Sequence, residues 1–183
     1  EAFRELAVEY GGTNAITDAN VQALGWCIDA WSLGADGVLP WQTVGSESSW
    51  RQADELSLFY PPRPGNNSRE PVPSVRLKAY RRGQQDVEYL TMWADSQRQP
   101  RWAAGQRVRE ALGLRGTRRG SGFTGGEDAG LIHYSQLRPE AVASLRTRIG
   151  SALSAAPPPS PPAVPGASPN GANRSPLFAP RPV

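Results

Sequence analysis

The chain has 183 residues, among them 18 prolines, 19 glycines, one cysteine and one histidine, with a formal net charge of +3. A single cysteine excludes an internal disulfide and a multi-cysteine metal site, a single histidine excludes a histidine metal cluster, and no apolar run reaches the roughly 18 residues of a membrane-spanning helix. The basic excess is small, acids at Asp86, Glu88, Asp95 and Glu110 are interspersed among the arginines, and no nucleic-acid-binding motif accompanies the charge, so neither nucleic acid nor membrane is expected as a partner.

In chain order, residues 1–10 are expected to finish a helix, with Phe3, Leu6 and Ala7 on one face and Gly11 and Gly12 ending it. Thr17 or Asp18 then caps a helix in which Val21, Leu24, Ile28 and Trp31 recur at three- and four-residue spacing, an apolar stripe suited to a sheet, stopped by Gly34. Residues 38–41 read as a short buried strand whose C-terminal end runs into a functional loop. That loop carries Trp50 and leads to a second β-prone run at 56–60, closed by Pro61 and Pro62, with a turn around Gly65.

Pro71 and Pro73 bar helix before Ser74, whose hydroxyl can cap the first free amides. Val75, Ala79, Val87, Leu90 and Trp93 then predict a helix of about five turns. After Pro100, the residues Trp102, Val108, Ala111 and Leu112 predict a shorter helix ended by Gly113, followed by a glycine-rich loop to Gly130 and a loop or short strand holding His133. A last helix opens with Pro139 and buries Val142, Leu145, Ile149 and Leu153. From residue 155 onward the chain is dense in proline, with few large apolar residues beyond Leu177 and Phe178. Such a segment cannot bury enough surface to offset its ordering entropy and is expected to be a disordered tail.

The run from Pro71 to Leu90 has the pattern P-x-P-S-x-R-L-x-A-x-R-x-G-x-x-D-x-E-Y-L, in which Arg76, Arg81, Gly83, Asp86, Glu88 and Tyr89 are the polar and glycine positions. It resembles the signature closing the catalytic domain of bacterial proteins similar to glycoside hydrolase family 123. Gly25, Trp26, Trp31, Gly34, Gly37 and Trp41 resemble that family's penultimate helix, turn and last barrel strand, and Tyr134, Arg146 and Ile149 resemble its terminal helix. The resemblance spans residues 15–153. Pro40, where the family commonly has an aromatic, and residues 84–87, where a more acidic and aromatic run is usual, depart from it.

The resemblance implies an α/β fold, the C-terminal portion of a (β/α)8 TIM-type barrel. A whole barrel needs about 200 to 250 residues, so residues 1–154 are expected to supply only the end of the barrel domain, followed by the tail at 155–183, in a piece of a longer parent. No basic-then-apolar leader is visible. The compartment stays open, a secreted or periplasmic parent being compatible with it.

By the same resemblance the parent hydrolyses an N-acetylhexosamine-containing or related glycan with retention. The substrate's acetamido group is the nucleophile, and an Asp-Glu pair sits on an earlier barrel strand. No residue here matches that pair, so no catalytic residue is assigned, the chain alone is expected to be inactive, and no cofactor or metal is implied. A non-catalytic carbohydrate-binding or scaffold protein of the same fold is the alternative.

The acids in hand read as structural. Asp86 and Glu88 are two apart on a helix, about 200° around its axis, and cannot serve one site. Asp86 is expected to pair with Arg82, and Glu88 with Arg76, Arg81 or a neighbouring loop. Asp54 with Glu55, and Glu127 with Asp128, read as loop acids. The G-x-G-x-x-G match beginning at Gly120 lacks the leading strand and following helix of a nucleotide site. Trp41 stands where the last barrel strand meets its loop, where an indole can stack on a sugar's C–H face or cap the barrel interior. Gln42 is its polar companion, with Trp50 and Tyr60 as rim residues. Trp26, Trp31, Trp93 and Trp102 are expected to pack on helices, as is Cys27.

Overall fold

Residues 8–11 follow a period of two: Val8 and Tyr10 are exposed, Glu9 is half-buried and Gly11 is buried. The computed structural model describes residues 6–13, 18–41, 43–50, 57–62, 65, 67, 69–115, 117–118, 132–134 and 136–155. It places a strand, β1 (Val8–Gly11), where the end of a helix was expected. A β-branched and an aromatic residue at alternate positions suit a pleated, half-covered surface better than a helix end.

Helix α1 (Val21–Leu33) returns the chain to strand β2 (Gly37–Pro40). The two strands pair in parallel, with Val8 opposite Gly37, Glu9 opposite Val38, Tyr10 opposite Leu39 and Gly11 opposite Pro40. A parallel pair cannot be joined by a hairpin, and α1 is the crossover it requires. The helix starts after Asn20 rather than at an Asp18 cap, and Asn20 makes no side-chain cap bond. It stops as expected at Gly34, whose φ of 98° is left-handed and whose amide donates to Ala30 and Trp31.

α1 is apolar nearly all round, and Val21, Ala23, Trp26, Cys27, Ile28, Ala30 and Trp31 are all buried. That is the signature of a helix enclosed on several sides. The sheet covers one side, and helices α2 (Val75–Ser96) and α3 (Arg101–Leu112) cover others. Glycines let the axes approach: a Cβ on Gly83 of α2 would lie 2.8 Å from Cys27 Sγ, and one on Gly105 of α3 would lie 2.6 Å from the Ser32 carbonyl oxygen.

Ser74 caps α2 as expected, its extended backbone turning the hydroxyl to accept from the Leu77 amide at 3.3 Å. The 22-residue helix is about 33 Å long. It buries Ala79, Leu90 and Ala94, while Val75 stays exposed. α3 ends at Gly113, φ 62°. Trp102 on α3 is 70% exposed, against the packing role expected for it: the side of α3 that meets α1 is set by Ala104, Gly105 and Val108, and Trp102 lies off that face. Helix α4 (Pro139–Ala155) buries Val142, Leu145 and Ile149 and packs on α2.

Two short antiparallel pairs complete the described fold. Strand β3 (Phe59–Tyr60) pairs with β4 (Val72–Pro73), and β5 (Thr117–Arg118) with β6 (Ile132–His133). The molecule is thus mixed α/β, with four helices and three two-stranded sheets among the described residues, one of them parallel. No described helix is long and apolar enough to cross a membrane. Of the expected tail only Ala155, the last residue of α4, is described.

Candidate functional site

Alternation along β1 and β2 turns Val38 toward the helices and leaves Val8, Tyr10, Leu39 and Trp41 on the outer face, 54%, 50%, 53% and 46% exposed. The Trp41 N–H donates to the Gly11 carbonyl at 2.6 Å, the bond that closes the ladder opposite Pro40. This bond holds Trp41 against β1. Its ring meets that of Tyr10 edge to face, centroids 6.0 Å apart and planes at 73°. Both aromatics stand at the carboxyl ends of parallel strands, the end at which open and closed parallel sheets bind ligands. The chemistry available there is stacking on an apolar ring face, flanked by the phenol of Tyr10 and the indole N–H of Trp41.

Trp50 and Tyr60 form a separate pair, centroids 5.0 Å apart and planes tilted by 35°. Trp50 ends a short 3-10 turn (Glu47–Trp50), and its indole N–H donates to the Pro61 carbonyl at 2.9 Å. Arg76 donates to the Tyr60 hydroxyl at 2.8 Å, with its guanidinium 6.0 Å from the ring centroid. The loop is pinned by Gly45 N–H to Phe59 O (2.8 Å) and Phe59 N–H to Thr43 O (2.9 Å). The polar tips of both aromatics are thus engaged by the protein itself, which makes this pair a brace between loop and α2. Gln42 lies outside the described residues. So do Asp54, Glu55, Glu127, Asp128 and the G-x-G-x-x-G run.

Sequence reasoning missed Tyr10, having read residues 1–10 as helix; the exposed–covered alternation of Val8, Glu9 and Tyr10 was the available signal. It also misassigned Asp86. That carboxylate is buried and receives both Nε and Nη2 of Arg146 from α4, at 2.7 and 2.6 Å, while Arg82 donates to Gln85 at 3.2 Å. Arg76, a candidate partner of Glu88, goes to Tyr60 instead.

Behind the sheet, polar groups tie the helices together. Glu9 accepts from the Trp26 indole at 2.7 Å. Buried Asp29 accepts from Arg109 Nε at 2.6 Å and from the Tyr134 hydroxyl at 3.3 Å. Burial pushes the Asp29 carboxyl upward and Arg109 opposes it. The Tyr134 and Tyr80 hydroxyls are pushed up chiefly by burial, and the Cys27 thiol is pushed up to about 12, also by burial. A thiol so held, packed on Gly83, is inert. His133 lies 3.6 Å from Asp18. Among the described residues no group of three or more His, Cys, Asp or Glu is placed to hold a metal ion.

No family model, no curated protein and no solved structure matches the chain.

Proposed function

We propose that the chain is the closing portion of a glycoside hydrolase-like α/β barrel domain whose parent acts on an N-acetylhexosamine-containing or related glycan, and that Tyr10 and Trp41 are the platform on which a sugar ring stacks. The observation that supports this is the half-exposed, edge-to-face Tyr10–Trp41 pair at the carboxyl ends of two parallel strands. In a T-shaped pair the two rings are not stacked face on face, so Tyr10 leaves an indole face for a pyranose. The acids of a substrate-assisted mechanism would come from strands outside this chain.

A non-catalytic carbohydrate-binding or scaffold protein would use the same platform. That second reading is favoured by the employment of Glu9, Asp29 and Asp86, each engaged by a group on a helix.

Titration with tri-N-acetylchitotriose, followed by amide and indole NMR shifts, tests the platform. Saturable shifts at Trp41 and Tyr10 are expected, with Trp41→Ala weakening binding about tenfold, or about 1.4 kcal/mol, and Trp102→Ala leaving it unchanged. Absence of saturable shifts at Trp41 with chito-, galactosamine- and mannosamine-based oligosaccharides would remove the carbohydrate reading.

A further inference from the structure

Where the first turns of α1, α2 and α4 come together, a cleft of about 510 Å³ opens. Leu24, Val75, Ala79 and Val142 wall it. Among the described residues no aromatic ring and no carboxylate lines it, and its charged residues, Lys78, Arg82 and Arg146, are all cations. The three charges have different standing. Arg146 is neutralised by Asp86, both of whose oxygens it occupies. That occupation deprives Arg82 of the carboxylate one turn ahead of it, and its guanidinium donates to the neutral Gln85 side chain at 3.2 Å. Lys78, one turn before Arg82 on the same side of α2, is exposed. Among the described residues neither Lys78 nor Arg82 is paired with an acid. The start of α1 lines the same cleft, and Asn20 gives it no side-chain cap, so the positive end of the helix dipole adds to the field. Val75 is 63% exposed whereas Ala79 and Val142 are buried, so the apolar wall runs from solvent inward.

We propose that this cleft binds an aliphatic carboxylate of medium chain length, with the carboxylate between Lys78 and Arg82 and the chain along Leu24, Val75, Ala79 and Val142. Charge selects the head of the ligand. Two like charges four residues apart on a helix repel, an anion between them relieves that repulsion, and the guanidinium fork of Arg82 matches a carboxylate. The wall selects the body. Aliphatic side chains without a ring offer no stacking partner to an aromatic acid, and a sugar phosphate would bring hydroxyls against a surface that gives them no hydrogen bonds. The volume lies within the range of small-molecule sites, about 300 to 1,000 Å³. None of these residues belongs to the Tyr10–Trp41 platform, so the proposal holds whether or not that pair takes a sugar.

Octanoate, decanoate and dodecanoate, each below its micelle concentration, are titrated into the isotope-labelled full chain and followed by methyl and amide NMR shifts, with octanol and octylammonium as neutral and cationic controls. Saturable shifts are expected at Leu24, Val75, Ala79 and Val142, with affinity rising about tenfold for each two methylenes added. Octanol should bind about tenfold more weakly than octanoate, and octylammonium more weakly still. A Lys78→Gln, Arg82→Gln double variant should bind octanoate as weakly as octanol, with an unchanged urea midpoint because both side chains are exposed. Equal affinity for octanoate, octanol and octylammonium, affinity independent of chain length, shifts confined to other residues, or full octanoate binding by the double variant would each overturn the proposal. Binding to phosphatidylserine vesicles with no shift from monomeric decanoate would assign the cleft to an anionic lipid surface and overturn it as well.

Discussion

Asp86 shows how one side chain can hold two helices together. Its carboxylate is 6% exposed and has both oxygens bonded by one guanidinium, which α4 brings across to α2. Removing Arg146 from such a pair leaves a nearly buried carboxylate without its partner, at a cost of about 3 kcal/mol. Arg146→Met should therefore lower the unfolding free energy by about that amount in urea titrations. Asp86→Asn in the same background should recover part of it, because an amide buries more cheaply than an unpaired carboxylate. A loss within about 0.5 kcal/mol would mean that the pair behaves as a screened surface contact. The pattern around Asp86 was visible in the sequence but its partner was not. Arg82, four residues away on the same helix, satisfies a local rule, and nothing local announces that Arg146, 60 residues on, arrives first.

Between elements, close approach is governed by two glycines that look alike in sequence and are not alike in space. Gly83 meets the Cys27 side chain, whereas Gly105 meets the Ser32 backbone at 2.6 Å from the carbonyl oxygen and 2.7 Å from Cα. A methyl at Gly83 pushes on a side chain, and part of its cost is offset by the helix propensity gained, about 1 kcal/mol. A methyl at Gly105 must move one helix axis against another. Gly105→Ala is expected to cost about 3 kcal/mol and Gly83→Ala about 1 kcal/mol, read as a shift of the urea midpoint at constant slope. The reverse order would mean that α3 slides on α1 more readily than α2 does. Helices α1, α2 and α4 were legible because their apolar spacing, Ser74, Gly34 and Pro139 are local signals. The glycine contacts were not, since a glycine inside a helix reads as a weakness until its neighbour is known.

On the scale of the whole molecule, the helices and the sheet have different standing. Trp26, Ile28, Leu90 and Val108 are each less than 2% exposed, and they lie on α1, α2 and α3. Among the described residues the outer face of β1 and β2 has no comparable cover, and the core lies on the helix side of the sheet. The sequence made β2 and Trp41 visible, yet it hid β1 and with it Tyr10, because three apolar residues at the start of the chain fit a helical face as well as a pleat. If the outer face lies apart from this chain's own core, Val8→Thr with Leu39→Thr should leave the unfolding free energy within about 0.5 kcal/mol, since threonine has the β-branched shape that strands favour. The same pair of changes should reduce the fluorescence of bound anilinonaphthalene sulfonate, a dye that reports accessible apolar surface. A loss above about 1.5 kcal/mol, the scale of a buried side chain, would instead show that other residues of the chain already cover the face. In that case a sugar on Trp41 could not be accommodated without displacing them.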